Sequence, residues 1–328
     1  MPRFRTDPSI DVPNVGTPPH PTGPAGRRWT RRRVLTYGLA GAATVVAGGA
    51  FAAELVSHDV LPGKRLLDQL DGACSVPNPG TTYSTAGSQF SGTFYSVARN
   101  RTVGYTIAFP PGYHPGDPLP LIVALHAFGG NHTNALDGVT PAQALALSVD
   151  NRPLAPMAMV TVDGGRGYWN PHPGDDPMAM VIDELVPRCQ RLGLGQAPQR
   201  IGTLGISMGG YGALLLAERY PGLIKAVAAI SPAIWTTYRQ ARGANPGAYA
   251  TAADFTADDA VTHASALSHT AVRIAVGDDD PFYPGVIDLS RALPPQAMVV
   301  HSRGCHTSPF FRAQQPLSLQ FLNQHLST

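Results

Sequence analysis

The stretch Thr203-Leu204-Gly205-Ile206-Ser207-Met208-Gly209-Gly210-Tyr211-Gly212 decides how this chain folds. Before it, residues 200–204 read as a short buried strand; after it, residues 208–220 read as a helix closed by Pro221-Gly222. A serine in Gly-x-Ser-x-Gly between a strand and a helix is a nucleophile elbow, a sharp turn that leaves the hydroxyl exposed at the carboxyl edge of a sheet. Gly205 and Gly209 are required sterically, because side chains there would clash where strand and helix pass beside the turn. Gly210 and Gly212 extend the small-residue face.

Working outward, apolar runs alternate with helical stretches. Residues 93–98 and 103–109 read as two strands joined at Arg99-Asn100-Arg101, a hairpin at a sheet edge. Residues 121–125 and 157–162 are continuous apolar runs that suit strands buried on both faces. Residues 177–191 read as a helix, with Asp176 as N-cap and Pro177 at its first position. Beyond the elbow, residues 226–230, 272–276 and 298–301 are strand-like, and there are no internal repeats. This order calls for an α/β fold with a mostly parallel central sheet covered by helices on both faces.

A serine hydroxyl is a poor nucleophile until a base takes its proton, and the base needs an acid to fix its tautomer. In this architecture the partners follow in the order Ser, Asp/Glu, His, on loops after later strands. After the strand ending at Val276 stands Gly277-Asp278-Asp279-Asp280-Pro281. Three aspartates compete; the loop resembles the hydrolase pattern Gly-x-x-Asp, which implies Asp280, the third residue past the glycine, as the acid, with Asp279 in reserve and Asp278 last. His306, in the loop Arg303-Gly304-Cys305-His306-Thr307, is the expected base, because His301 still lies in the last strand and His325 near the terminus. Attack by the serine creates an oxyanion that needs two fixed donors. The backbone N–H of Met208 is one; the loop His126-Ala127-Phe128-Gly129-Gly130 supplies the other, by position the N–H of Phe128.

These residues carry a resemblance. Residues 92–326 resemble the putative esterase family of the α/β-hydrolase fold, which includes esterase D (S-formylglutathione hydrolase), feruloyl esterases and secreted mycolyltransferases. The matches are Phe109-Pro110-Pro111-Gly112-Tyr113, Gly205-Ile206-Ser207-Met208-Gly209-Gly210 and Gly304-Cys305-His306, with Asp183-Glu184-Leu185-Val186-Pro187 before the elbow strand read as structural. Ala127 stands where the family's oxyanion loop usually has glycine. The resemblance implies ester chemistry through an acyl-serine, without cofactor or metal, on a small-molecule or lipid ester. An insertion at about residues 232–271 carries Trp235, Tyr238, Tyr249 and Phe255, which either line a pocket or make satellite core contacts. Trp169, in Tyr168-Trp169-Asn170 after the 157–162 strand, is the other candidate to contact substrate, beside Trp235.

The N-terminal part is of another kind. Residues 1–33 are rich in Pro and Gly without apolar periodicity and are expected to be a disordered basic region. They hold seven arginines and two aspartates of the chain's 24 basic and 22 acidic residues, so 17 and 20 remain and the overall +2 becomes −3. Nothing in that balance suggests a nucleic-acid partner for the rest, and none is expected. Arg31 and Arg32 precede 20 uncharged residues, 34–53, in a pattern resembling a twin-arginine export signal, with Val34 where Phe and Thr36 where Lys is preferred. Ala50-Phe51-Ala52 offers a cleavage site; the alternative is an uncleaved anchor, the only expected membrane contact. Residues 54–91 read as a linker leading into a catalytic domain at 92–328. Three cysteines, Cys74, Cys189 and Cys305, suit an exported protein with one disulfide and one unpaired thiol, or three buried thiols; the spacing does not choose the pair. Three functions remain: an exported carboxylesterase, an acyltransferase placing an acyl group on a cell-envelope sugar, and an inactive envelope-binding module. The complete Ser, Asp, His order argues against the last.

Overall fold

The computed structural model describes residues 74–77, 81–198 and 200–327, all within the compact unit Gly63–Thr328. The expectations for the export signal and most of the linker therefore lie outside the described residues.

The central sheet has eight strands: β1 (Gln89–Ser96), β2 (Arg101–Ala108), β3 (Leu121–Leu125), β4 (Ala158–Val162), β5 (Ile201–Ile206), β6 (Ile224–Ile230), β7 (Ala271–Gly277) and β8 (Met298–Ser302). Their spatial order is β8-β7-β6-β5-β3-β4-β2-β1. β1 and β2 form the expected edge hairpin and are antiparallel, as is the β2–β4 pair; the other pairs are parallel. β1 begins at Gln89, inside the segment read as linker, because its alternate residues face solvent and its polar start carries no apolar run.

The continuous apolar runs follow from burial on both faces. In β3, Leu121, Val123 and Leu125 pack into one core with the elbow helix Met208–Arg219, while Ile122 and Ala124 pack into the other with the C-terminal helix Ser308–Leu326. This is the period of two expected of a strand with a helix layer on each side. The expected helix from Pro177 exists: Asp176 caps it by accepting the Ala179 N–H at 2.9 Å, and the chain stays helical to Gln190. Its middle turn, Met180–Leu185, is π-helical, which the sequence pattern did not indicate. Glu184 on this turn accepts the Ala98 N–H at 2.9 Å and so ties the helix to the β1–β2 turn, a structural role. The insertion forms short helices, Tyr238–Ala244, Ala252–Ala257 and Ala260–His263, followed by a 3-10 turn at Ala264–His269.

Parallel register brings the strand ends together. Leu125 pairs with Gly205, Ile206 with Ile230, and Gly277 with Ser302. The loops that follow β3, β5, β7 and β8 therefore leave the sheet along one edge, where the next strands' loops can meet.

Candidate active site

Ser207 follows β5 and opens the elbow helix with φ 56° and ψ −118°, a conformation sparsely populated by residues other than glycine. Holding it costs on the order of 1–3 kcal/mol and requires the surrounding structure to over-determine the turn. The glycines on either side do this by close approach. A Cβ on Gly205 would sit 2.0 Å from the Gly209 carbonyl oxygen, and one on Gly209 would sit 2.0 Å from that of Leu125. The helix is thereby pressed onto both its own strand and the end of β3. Ser207 N–H donates to the Ile230 carbonyl at 2.9 Å, which pins the turn to β6.

His306 Nε2 lies 2.9 Å from Ser207 Oγ, and His306 Nδ1 lies 2.8 Å from Asp280 Oδ2. The Asp280 side chain has no exposure and that of His306 is 18% exposed. Asp280 Oδ1 accepts the Phe282 N–H at 2.9 Å, so the carboxylate is held at both oxygens. A carboxylate can only accept, so the proton sits on Nδ1 and Nε2 is left to accept from the serine hydroxyl. The imidazole is packed edge-on by Phe282 at 5.1 Å and by Phe311 at 5.0 Å. Of the other candidates, Asp278 is exposed and faces His301 at 2.9 Å, an exposed pair with no hydroxyl nucleophile. The Asp279 N–H donates to the Gly304 carbonyl at 3.0 Å and so fastens the acid loop to the loop bearing His306.

That loop is also fastened by a disulfide. Cys74 pairs with Cys305, the residue next to His306, across a sequence separation of 231. In the chain-entropy account such a long closure contributes up to about 5 kcal/mol. Cys189 is the remaining thiol; burial pushes it up to about 12, so it stays protonated and inert.

Met208 begins the elbow helix, where an N–H has no partner within the helix. Phe128 is on the loop after β3, half exposed, with the Arg166 guanidinium 5.4 Å above its ring. The Gly130 N–H donates to the Ala127 carbonyl at 2.9 Å, and Gly129 takes φ +79°, so the loop is a tight turn despite Ala127. Between this loop, residues 134–138 and the start of the C-terminal helix is a groove of about 280 Å³, lined among others by Phe128, Leu136, Ile206 and Phe311.

Trp169 requires a correction. It does not line a pocket: it is 1% exposed, lies under the elbow helix where a Cβ on Gly212 would be 2.6 Å from its ring, and donates from Nε1 to the His126 carbonyl at 3.3 Å. Being aromatic and following a strand at the active edge did not distinguish a residue pointing down from one pointing up. Trp235 is half-buried, and its ring packs edge-on at 4.7 Å against Phe282, which in turn packs on His306. Tyr249 is buried against Tyr168, Tyr211 and Phe255, and Tyr238 packs on Phe255, so these aromatics of the insertion make core contacts.

A mostly parallel sheet of this order, with an elbow serine at its edge, is the α/β-hydrolase fold. Over residues 96–293 the chain matches the family described as Putative esterase, and it belongs to that family. Ester hydrolysis is accordingly its chemistry. Among solved structures, a ferulic acid esterase shares 17% identity and a TM-score of 0.60, over 75% of this chain and 100% of its own. An S-formylglutathione hydrolase from Agrobacterium tumefaciens also shares 17% and 0.60, over 75% and 98%. A fluorophosphonate-binding serine hydrolase of Staphylococcus aureus shares 15% and 0.57, over 73% and 99%. At these identities the likeness is one of fold. A search of curated proteins gave no match.

Proposed function

We propose that this chain is an exported serine hydrolase that cleaves carboxylic esters through an acyl-serine at Ser207. The observation that carries the reading is the unbroken relay from the strained Ser207 through His306 to the buried Asp280, with links of 2.9 and 2.8 Å. His306 Nε2 takes the hydroxyl proton as Oγ bonds to the ester carbonyl, and Asp280 stabilises the imidazolium. The Met208 and Phe128 N–H groups receive the charge that develops on the carbonyl oxygen. Collapse breaks the bond to the alcohol, which leaves with the proton from Nε2; a water molecule then repeats the sequence and frees the acid. The scheme needs neither metal nor cofactor. The groove beside Phe128, Ile206 and Phe311 holds one side of the ester. Its volume of about 280 Å³ lies just below the roughly 300–1,000 Å³ of small-molecule sites, which favours a compact group.

Product analysis with a short acyl ester, with and without trehalose, tests this reading. Free acid as the main product in both arms is expected. Acyl-sugar as the main product would make the protein an acyltransferase, and no turnover in either arm would make it a binding module.

Export rests on Arg31-Arg32 with the uncharged residues 34–53, and is supported by the Cys74–Cys305 disulfide, since such bonds persist in oxidising compartments. Replacing Arg31 and Arg32 by lysine is expected to hold the precursor in the cytoplasm. Fractionation showing equal secretion of that variant would assign export to another route.

A further inference from the structure

We propose that His126 is a positioning residue that fixes and polarises the peptide from which Phe128 donates to the oxyanion, an inference that rests on the acyl-serine reading above. Gly164 N–H can only donate, and it donates to His126 Nε2 at 2.9 Å. Nε2 is therefore the acceptor, and the proton of the neutral ring lies on Nδ1. Nδ1 is 2.8 Å from the carbonyl oxygen of Ala127, so Nδ1–H donates to it.

That carbonyl and the Phe128 N–H belong to one peptide unit, which is trans. In a trans peptide the C=O and N–H point in opposite directions, so fixing one fixes the other. The Ala127 oxygen is held twice, by His126 Nδ1–H and by Gly130 N–H at 2.9 Å. Both bonds draw electron density towards the oxygen and make the same amide a stronger donor on its N–H side.

The imidazole itself cannot drift. His126 is fully buried, its ring lies 5.0 Å from that of Trp169, and its own carbonyl accepts from Trp169 Nε1. Desolvation holds its pKa below the usual histidine range, which keeps it neutral and able to accept from Gly164. Below it, Asp163 accepts from His132 N–H at 2.8 Å and from Gly104 N–H at 2.9 Å, joining the far end of the loop to β2. The segment from His126 to His132 is thus tied at both ends to the loop after β4. This gives Trp169 its purpose: it supports the oxyanion loop from beneath rather than touching substrate.

The test uses two amides that each mimic one ring nitrogen. In His126→Asn, Nδ2 takes the place of imidazole Nδ1 and keeps the donor to Ala127. In His126→Gln, the longer amide reaches the place of Nε2 and keeps only the partner of Gly164. Each loses one buried hydrogen bond, so a merely structural role would give both the same loss. The expected result is that His126→Gln lowers kcat on the order of 10²-fold with KM little changed, and weakens binding of a boronic acid in parallel, while His126→Asn retains most of both. Equal losses in the two variants would overturn the proposal. Should both fail to fold, nitrogen NMR of the unmodified protein still decides: a proton on Nε2 of His126 rather than on Nδ1 refutes it. Loss of the acyl-serine reading would show separately, as turnover retained in Ser207→Ala.

Discussion

Replacing Ser207 by alanine is expected to lower kcat for short p-nitrophenyl esters by roughly 10³-fold or more, while leaving the fold intact. The loss corresponds to about 4 kcal/mol or more of transition-state stabilisation. It is large because Oγ forms the bond to the carbonyl, and nothing else in the described site stands on the His306 Nε2 side to replace it. The fold should survive because alanine keeps the Cβ and pays the same backbone strain at φ 56°. What is removed is one hydrogen bond to a mostly buried imidazole, worth about 1 kcal/mol. Melting temperature and circular dichroism should therefore stay close to those of the parent. Near-normal turnover in a variant with an unchanged spectrum would mean that another group is the nucleophile.

The elbow was legible in the chain because its constraints are local. A serine at positive φ between two glycines that must approach neighbouring carbonyls leaves a short, fixed pattern. The loops bearing Asp280 and His306 were legible because strand ends recur at predictable places in a parallel sheet, and a loop after a strand must begin at that edge. Residues whose role depends on distant contacts were not. Trp169 follows a strand at the active edge, yet its ring goes beneath the elbow helix because Gly212 leaves room for it. The partner of Cys305 is 231 residues away in sequence, so spacing could not choose among the three possible pairs. The small antiparallel sheet of Thr82–Tyr83, Leu147–Val149 and Arg152–Pro153 has strands too short to show any alternation, and no pattern announced it. His126 appeared only as the first residue of the oxyanion loop; its part in that loop depends on Gly164, 38 residues on.

Replacing Asp280 by asparagine is expected to lower kcat by a factor on the order of 10² to 10⁴, and the geometry says how. The carboxylate accepts two protons from two directions, His306 Nδ1–H at Oδ2 and Phe282 N–H at Oδ1. An amide has only one oxygen. The Phe282 N–H is a fixed backbone donor in a buried place, so the amide oxygen must turn to it, and the NH₂ group then faces His306 Nδ1. Nδ1 can accommodate a donor only by giving up its own proton. The ring proton moves to Nε2, where it points at Ser207 and leaves no lone pair to take the hydroxyl's proton. The variant is thus locked in the wrong tautomer although every heavy atom can keep its place. Asp278→Asn should change kcat little, since Asp278 is exposed and serves His301, which is itself exposed. The three asparagine variants, at positions 278, 279 and 280, should be assayed at one pH with melting temperatures recorded. A severe loss confined to Asp279→Asn would move the acid by one residue, and mild losses in all three would place it elsewhere in the chain. Because the defect in Asp280→Asn lies in proton transfer and not in binding, kcat should fall with KM nearly unchanged, and a rise in KM alone would contradict it.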